Sequence, residues 1–218
     1  MNLVLFDNFF EENFNPDQVR NFGLSQFVNK DLINDDFPYY PGIRTPPIHT
    51  FNPNLSDYIR VKILNPINSL CQSEKIKQKE KYNLYMQYHL TTSVHQCGLI
   101  HRDKSDFAGV IYLNPNSPKN SGTNLYTLKE NYSEKINFIE VNNFPIASST
   151  KDKEIISSFC KEKNEYNQKY FDLEYTVAGT YNSAVLYPSN YWHSPGKYFG
   201  EGLEDSRLCI VLFFKYLD

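Results

Sequence analysis

His101-Arg102-Asp103 stands just ahead of Phe107-Ala108-Gly109-Val110-Ile111-Tyr112-Leu113, an apolar run that reads as a buried strand. On extended backbone, side chains alternate faces, so His101 and Asp103 point the same way. One imidazole and one carboxylate on a common face make two thirds of a facial triad. That set suits a six-coordinate ferrous ion and leaves the opposite positions open. A third ligand must come from a distant segment. Tyr191-Trp192-His193 supplies it, after the strand-like Ala184-Val185-Leu186-Tyr187 and the turn residues Pro188-Ser189-Asn190. Ninety residues separate Asp103 from His193. A fold that meets this demand brings sequence-distant strands side by side. The expectation is therefore a mainly β chain with flanking helices, folded as a double-stranded β-helix of the jelly-roll or cupin kind.

Fourteen residues beyond His193 comes Arg207, which opens the apolar run Leu208-Cys209-Ile210-Val211-Leu212-Phe213-Phe214. His-x-Asp, a distant His, and Arg at the head of the last strand together resemble the signature of Fe(II)/2-oxoglutarate-dependent dioxygenases. Tyr112-Leu113-Asn114 is similar to the same stretch in the prolyl-hydroxylase and phytanoyl-hydroxylase branches. The resemblance covers roughly residues 82–214. It implies Fe(II) held by His101, Asp103 and His193, with 2-oxoglutarate as co-substrate. Arg207 would clamp the distal carboxylate of the keto acid, and Tyr112 would hydrogen-bond the same group. The implied reaction is hydroxylation, with succinate and carbon dioxide as co-products. Retention of Asp103 argues against a halogenase. The long gap from His193 to Arg207 predicts an inserted loop, Ser194 to Ser206, over the site, either a closing lid with Gly196, Gly200 and Gly202 as hinges or a fixed hairpin.

Each of these residues also has an ordinary structural explanation: His101 with Asp103 as a surface pair, Arg207 as a strand-end cation. Two other functions stay open, a cofactor-independent metal cupin enzyme and a non-catalytic jelly-roll binding or structural module. The Arg207 and Tyr112 positions argue against the first, which needs no carboxylate clamp.

A chain of 218 residues, 40% hydrophobic and 16% aromatic, suffices for one sizeable core. Residues 1–218 are read as one dioxygenase-like domain, with 1–80 an N-terminal helical and loop cover and 82–216 the jelly-roll core. The prolyl-hydroxylase resemblance implies a peptide or amino-acid substrate and the phytanoyl-hydroxylase resemblance a small molecule; a nucleic-acid base is a third option, disfavoured by a net charge of −3. Cys71, Cys97, Cys160 and Cys209 form no C-x-x-C pair, which fits a reduced compartment. No run approaches a membrane span, and Met1 to Phe10 has no signal-peptide pattern. The expected location is cytoplasmic.

Asn2 to Phe6 reads as an opening strand, and Asn15-Pro16 as a helix cap and first turn. Tyr39, Tyr40 and Arg44 fall in a turn-rich stretch, either a packed cover or a substrate-facing lip. Tyr58, Val61, Leu64, Ile67 and Leu70 recur at helical spacing, with a break or kink expected near Asn65-Pro66. Tyr82 to Leu90 alternates as a strand. His89 and His95 have no carboxylate at ligand spacing and read as structural. Gly122 to Tyr126 restarts an extended segment that resembles the strand after the motif in the same oxygenase family, which implies backbone close to the metal site. Lys151 to Tyr170 reads as an amphipathic helix outside the sheet.

Overall fold

The computed structural model describes residues 1–11, 14–28, 30, 41–95, 100–130, 132 and 153–217. Tyr39, Tyr40, Leu99 and Cys97 lie outside these residues. In chain order the elements are β1 (Val4–Phe6), α1 (Pro16–Ser25), β2 (Ile43–Arg44), α2 (Pro53–Glu74), β3 (Tyr82–Thr91), β4 (Phe107–Tyr112), β5 (Thr123–Leu128), α3 (Lys153–Tyr170), β6 (Phe171–Val177), β7 (Ala184–Pro188), β8 (Trp192–Pro195) and β9 (Arg207–Tyr216). Short 3-10 turns cover Ile48–Thr50 and Ser93–His95.

The strands form a six-stranded sheet in the order β1-β7-β4-β9-β3-β2 and a three-stranded sheet β6-β5-β8. His101 adds an isolated antiparallel bridge to His193, extending the smaller sheet by one position. β3 and β9 pair along their whole length, from Tyr82 opposite Tyr216 to Thr91 opposite Arg207. Period-two alternation then divides each strand between two cores. Met86, Tyr88 and Leu90 of β3, with Leu208, Ile210, Leu212 and Phe214 of β9, pack under α1 and α2. The opposite faces supply Tyr112, Val185, Tyr187, Cys209 and Val211, which meet Leu125 and Val177 of the smaller sheet. The two sheets thus close face to face as a double-stranded β-helix.

Asn15 caps α1 by accepting from the Asp17 and Gln18 amides, with Pro16 at the first position as the sequence suggests. Of the break or kink expected at Pro66, the break does not occur. Helix α2 runs unbroken from Pro53 to Glu74 with Pro66 inside it. An interior proline costs about 3 kcal/mol or more, but Leu55, Ile59, Ile63, Ile67 and Leu70 are all buried along one stripe. Burial of each contributes about 1.5–3 kcal/mol, and that sum outweighs one proline. The stripe also corrects the expected face. Its spacing is chiefly four residues, so Val61 points away and is 64% exposed, while Tyr58 and Leu64 only flank the core. Helix α3 lies against the smaller sheet, where Tyr166 and Tyr170 pack on Ile100, Phe171 and Trp192.

Candidate functional site

His101 and His193 are locked together by their backbones. Each amide donates to the other's carbonyl at 2.9 Å. The Asp103 amide donates to Ser189 O at 3.0 Å, and the Ser105 and Ser189 hydroxyls pair at 2.7 Å. The turn Pro188-Ser189-Asn190 is therefore fastened to the segment that carries His101 and Asp103. One candidate ligand atom from each of His101, Asp103 and His193 lies within 4.8 Å of the others. Asp103 Oδ2 is 3.2 Å from His193 Nε2, and Oδ1 is 3.8 Å from His101 Nε2. In an octahedral site with bonds near 2.1 Å, neighbouring ligand atoms sit about 3 Å apart. The trio fits a metal ion with only a small rotation of His101.

The shell around the trio supports the same use. Nδ1–H of His193 donates to the Tyr191 carbonyl at 2.9 Å, which leaves Nε2 facing Asp103. Burial works against ionisation of Asp103. The His193 hydrogen bond and the charges of His101, His193 and Arg44 outweigh it and hold the carboxyl below the usual carboxylate range. Between His101 and Asp103 in the chain, Arg102 places its guanidinium 4.2 Å from the centre of the Trp192 ring, a cation–π contact that ties together the two segments carrying the candidate ligands.

Arg207 is 4% exposed and turned into the barrel. Its Nε donates to Ser121 O at 2.9 Å, Nη2 to Gly122 O at 3.5 Å and Nη1 to the Cys209 sulfur at 3.3 Å. Among the described residues no carboxylate pairs with it. Burial works against the charge, yet Cys209, Tyr112 and Tyr198 outweigh it and set the pKa above the ordinary guanidinium value. A buried guanidinium without a counter-ion is costly, and a ligand carboxylate is the chemistry that completes it. Directly across β3, Thr91 is buried with its hydroxyl unbonded. Tyr112 stands beside them, its ring centre 6.0 Å from the Arg207 guanidinium carbon and its hydroxyl 2.7 Å from that of Thr123. These groups fit the far carboxylate of a keto acid reaching from the metal position.

The structure thus gathers all five residues singled out in the sequence into one barrel, and adds others. Asn114 holds both sides of Arg207: its Nδ2 donates to Ser206 O and its Oδ1 accepts from the Leu208 amide, each at 2.7 Å. Thr91 carries no sequence signal beyond its place at the end of β3. Asn114 has only its place in Tyr112-Leu113-Asn114. Gly122 makes a close approach to neighbouring backbone: a Cβ there would lie 2.0 Å from Val177 O. His89 donates from Nε2 to the Pro41 carbonyl at 2.6 Å, and neither it nor His95 joins the trio. The loop after β8 is fastened, with Ser93 N on Gly200 O at 2.7 Å, Lys197 N on Asn120 O at 2.7 Å and Arg20 Nη2 on Glu204 O at 2.5 Å.

The profile of a family described as "Family of unknown function (DUF6445)" matches residues 1–209. The chain belongs to this family. No curated protein matches the sequence. Among solved structures, HygX from Streptomyces hygroscopicus with nickel and 2-oxoglutarate bound is similar at 13% identity and a TM-score of 0.57, covering 98% of this chain and 82% of that one. EctD from S. alaskensis with bound Fe is similar at 9% identity and a TM-score of 0.52, covering 98% and 72%. AviO1 from Streptomyces viridochromogenes Tue57 gives 10% identity and 0.51, covering 98% and 89%. At such identities the likeness establishes the shared fold. The DUF6445 chain has the double-stranded β-helix seen in these structures.

Proposed function

We propose that this DUF6445 protein is an Fe(II)- and 2-oxoglutarate-dependent oxygenase that hydroxylates a small-molecule or peptide substrate. The observation that carries the reading is the buried Arg207, with no carboxylate partner among the described residues, in the same barrel as the His101–Asp103–His193 trio. A metal site alone would serve many hydrolases and oxygenases. A metal site with a buried cation beyond it calls for a ligand that carries a carboxylate at the far end. The HygX structure contains nickel and 2-oxoglutarate, and another HygX structure, at a TM-score of 0.55, adds hygromycin B. A small-molecule substrate is compatible with that precedent.

When bound, the ferrous ion would activate dioxygen, with the keto acid as the two-electron reductant that leaves as succinate and carbon dioxide, so that one oxygen atom of dioxygen is inserted into a C–H bond. The chain's own residues bind and orient. His101, Asp103 and His193 hold one face of the metal. Arg207 fixes the far carboxylate through a planar fork, and Tyr112 donates beside it. The apolar walls from Val185, Val211, Leu125 and Val177 exclude water from the interior. We read residues 1–218 as one catalytic unit, since α1, α2 and the larger sheet share a core. A reducing, cytoplasmic setting suits both the ferrous state and the buried free thiols of Cys71 and Cys209.

The test combines metal binding with turnover. Trp192 is the sole tryptophan and adjoins His193, so its fluorescence should report metal binding directly. Expected outcomes are quenching on anaerobic Fe(II) addition, and succinate formed from 2-oxoglutarate in air. His101→Ala, Asp103→Ala and His193→Ala should each weaken iron binding sharply with circular dichroism unchanged. Iron binding without any succinate would move the reading to a cofactor-independent metal enzyme.

A further inference from the structure

Tyr187 is a deeply placed side chain that the trio and the Arg207 corner leave unused. It lies on β7 opposite Ala108 of β4, on the face turned into the barrel, and is 3% exposed. Its ring stands edge-on to His193, with centroids 4.9 Å apart. Among the described residues its hydroxyl makes no hydrogen bond, in contrast to those of Tyr112 and Tyr88. Tyr112 pairs with Thr123 at 2.7 Å, and Tyr88 donates to Val19 O at 3.1 Å. The residue is buried, yet its hydroxyl is not one of the fully enclosed unpaired polar atoms, so it opens onto the interior where a ligand can reach it. Phenylalanine would fill the same volume, and the hydroxyl adds a donor for a ligand that enters there.

The surroundings say which acceptor. Tyr187 offers a phenol O–H as a donor on the cavity side of His193. Arg207 already has the Tyr112–Thr123 pair beside it at the far end of the cavity. Tyr187 stands instead against the metal-ligand histidine. We propose that Tyr187 contacts the co-substrate, its hydroxyl donating to the keto acid's carboxylate at the metal end. This rests on the function proposed above and adds a residue that neither the His-x-Asp…His pattern nor the Arg207 corner identifies. It also implies a division of labour. Arg207 recognises any suitable dicarboxylate, whereas Tyr187 recognises the carboxylate next to the keto group.

That division makes the proposal testable by binding. Fe(II)-loaded parent, Tyr187→Phe and Arg207→Ala would be titrated anaerobically with 2-oxoglutarate, read by the metal-to-keto-acid charge-transfer absorbance. Succinate, which cannot present a carboxylate beside a keto group, would then be measured as a competitor. Tyr187→Phe should weaken 2-oxoglutarate about tenfold or more, as expected for loss of a hydrogen bond to a charged group. Its succinate competition and iron affinity should match the parent. Arg207→Ala should weaken both ligands. The metal-free Tyr187→Phe protein should melt no lower than the parent, because an unpaired polar atom has been removed; a structural hydroxyl would give the opposite. Unchanged 2-oxoglutarate affinity, or equal weakening of 2-oxoglutarate and succinate, overturns the proposal. A parent with no charge-transfer band overturns the oxygenase function itself, a failure distinguishable from the first.

Discussion

His89 shows how one side chain inside the barrel can set the acid limit of the fold. It is buried between β2 and β9, opposite Arg44 and Cys209, with its Nε2–H spent on the Pro41 carbonyl. Burial and then the Arg44 charge drive its pKa well below the ordinary 6.5, and the Pro41 bond offsets only part of this. The folded state therefore keeps the ring neutral, while the unfolded chain takes up a proton below about pH 6.5. With more protons bound in the unfolded state, stability falls as pH drops from about 6.5 towards the folded pKa. One such proton contributes about 1.4 kcal/mol per pH unit. Urea unfolding at pH 7 and pH 5 should show a smaller acid loss for His89→Gln than for the parent. Equal losses in the two proteins would mean that His89 titrates freely in the fold.

At the scale of elements, α2 turns on which face it buries. Ile63 is wholly buried whereas Val61, two residues away, is 64% exposed. Ile63→Ala should cost about 2–5 kcal/mol through lost burial and the cavity left behind. Val61→Ala should stay within about 0.5 kcal/mol. Chemical denaturation of both variants checks the face directly, and similar losses would restore the three-residue stripe read from the sequence. The segment between β8 and β9 is a fastened loop in this structure. Gly200 has φ +80, and a Cβ there would meet Asp205 O at 2.3 Å. The Asp205 carboxylate accepts from the Gly202 and Glu201 amides at 2.8 and 3.3 Å. Those contacts hold the chain just before Arg207, so this loop bears on the clamp as well as covering the barrel.

For the whole molecule, the site joins both sheets: His101 and His193 belong to the smaller one, Arg207 and Tyr112 to the larger. Ligands that bridge them should stabilise the fold as a unit. At a hundred times its Kd a ligand adds about 2.7 kcal/mol, or roughly 5–10 °C in Tm for a chain of this size. Thermal melts should therefore rise with Fe(II), and again with 2-oxoglutarate. In Arg207→Ala the second increment should vanish and the first remain. A second increment that survives in Arg207→Ala would place the keto acid elsewhere.

The sequence by itself determined the parts whose signals are local. Period-two alternation placed β3, and apolar runs placed β4 and β9; Asn15-Pro16 placed the start of α1; His101-x-Asp103 put two candidate ligands on one face and His193 offered a third. The resemblance supplied the roles of Arg207 and Tyr112. What the sequence left open depends on contacts between distant residues. A proline in α2 reads as a break until the buried stripe beneath it is known, because propensity is local and burial is not. Asn114 reads as a turn residue until Ser206 and Leu208 stand against its amide. Thr91 and Tyr187 are ordinary strand residues in sequence. Only closing the two sheets turns their hydroxyls inward, one opposite Arg207 and the other beside His193, where neither has a partner among the described residues.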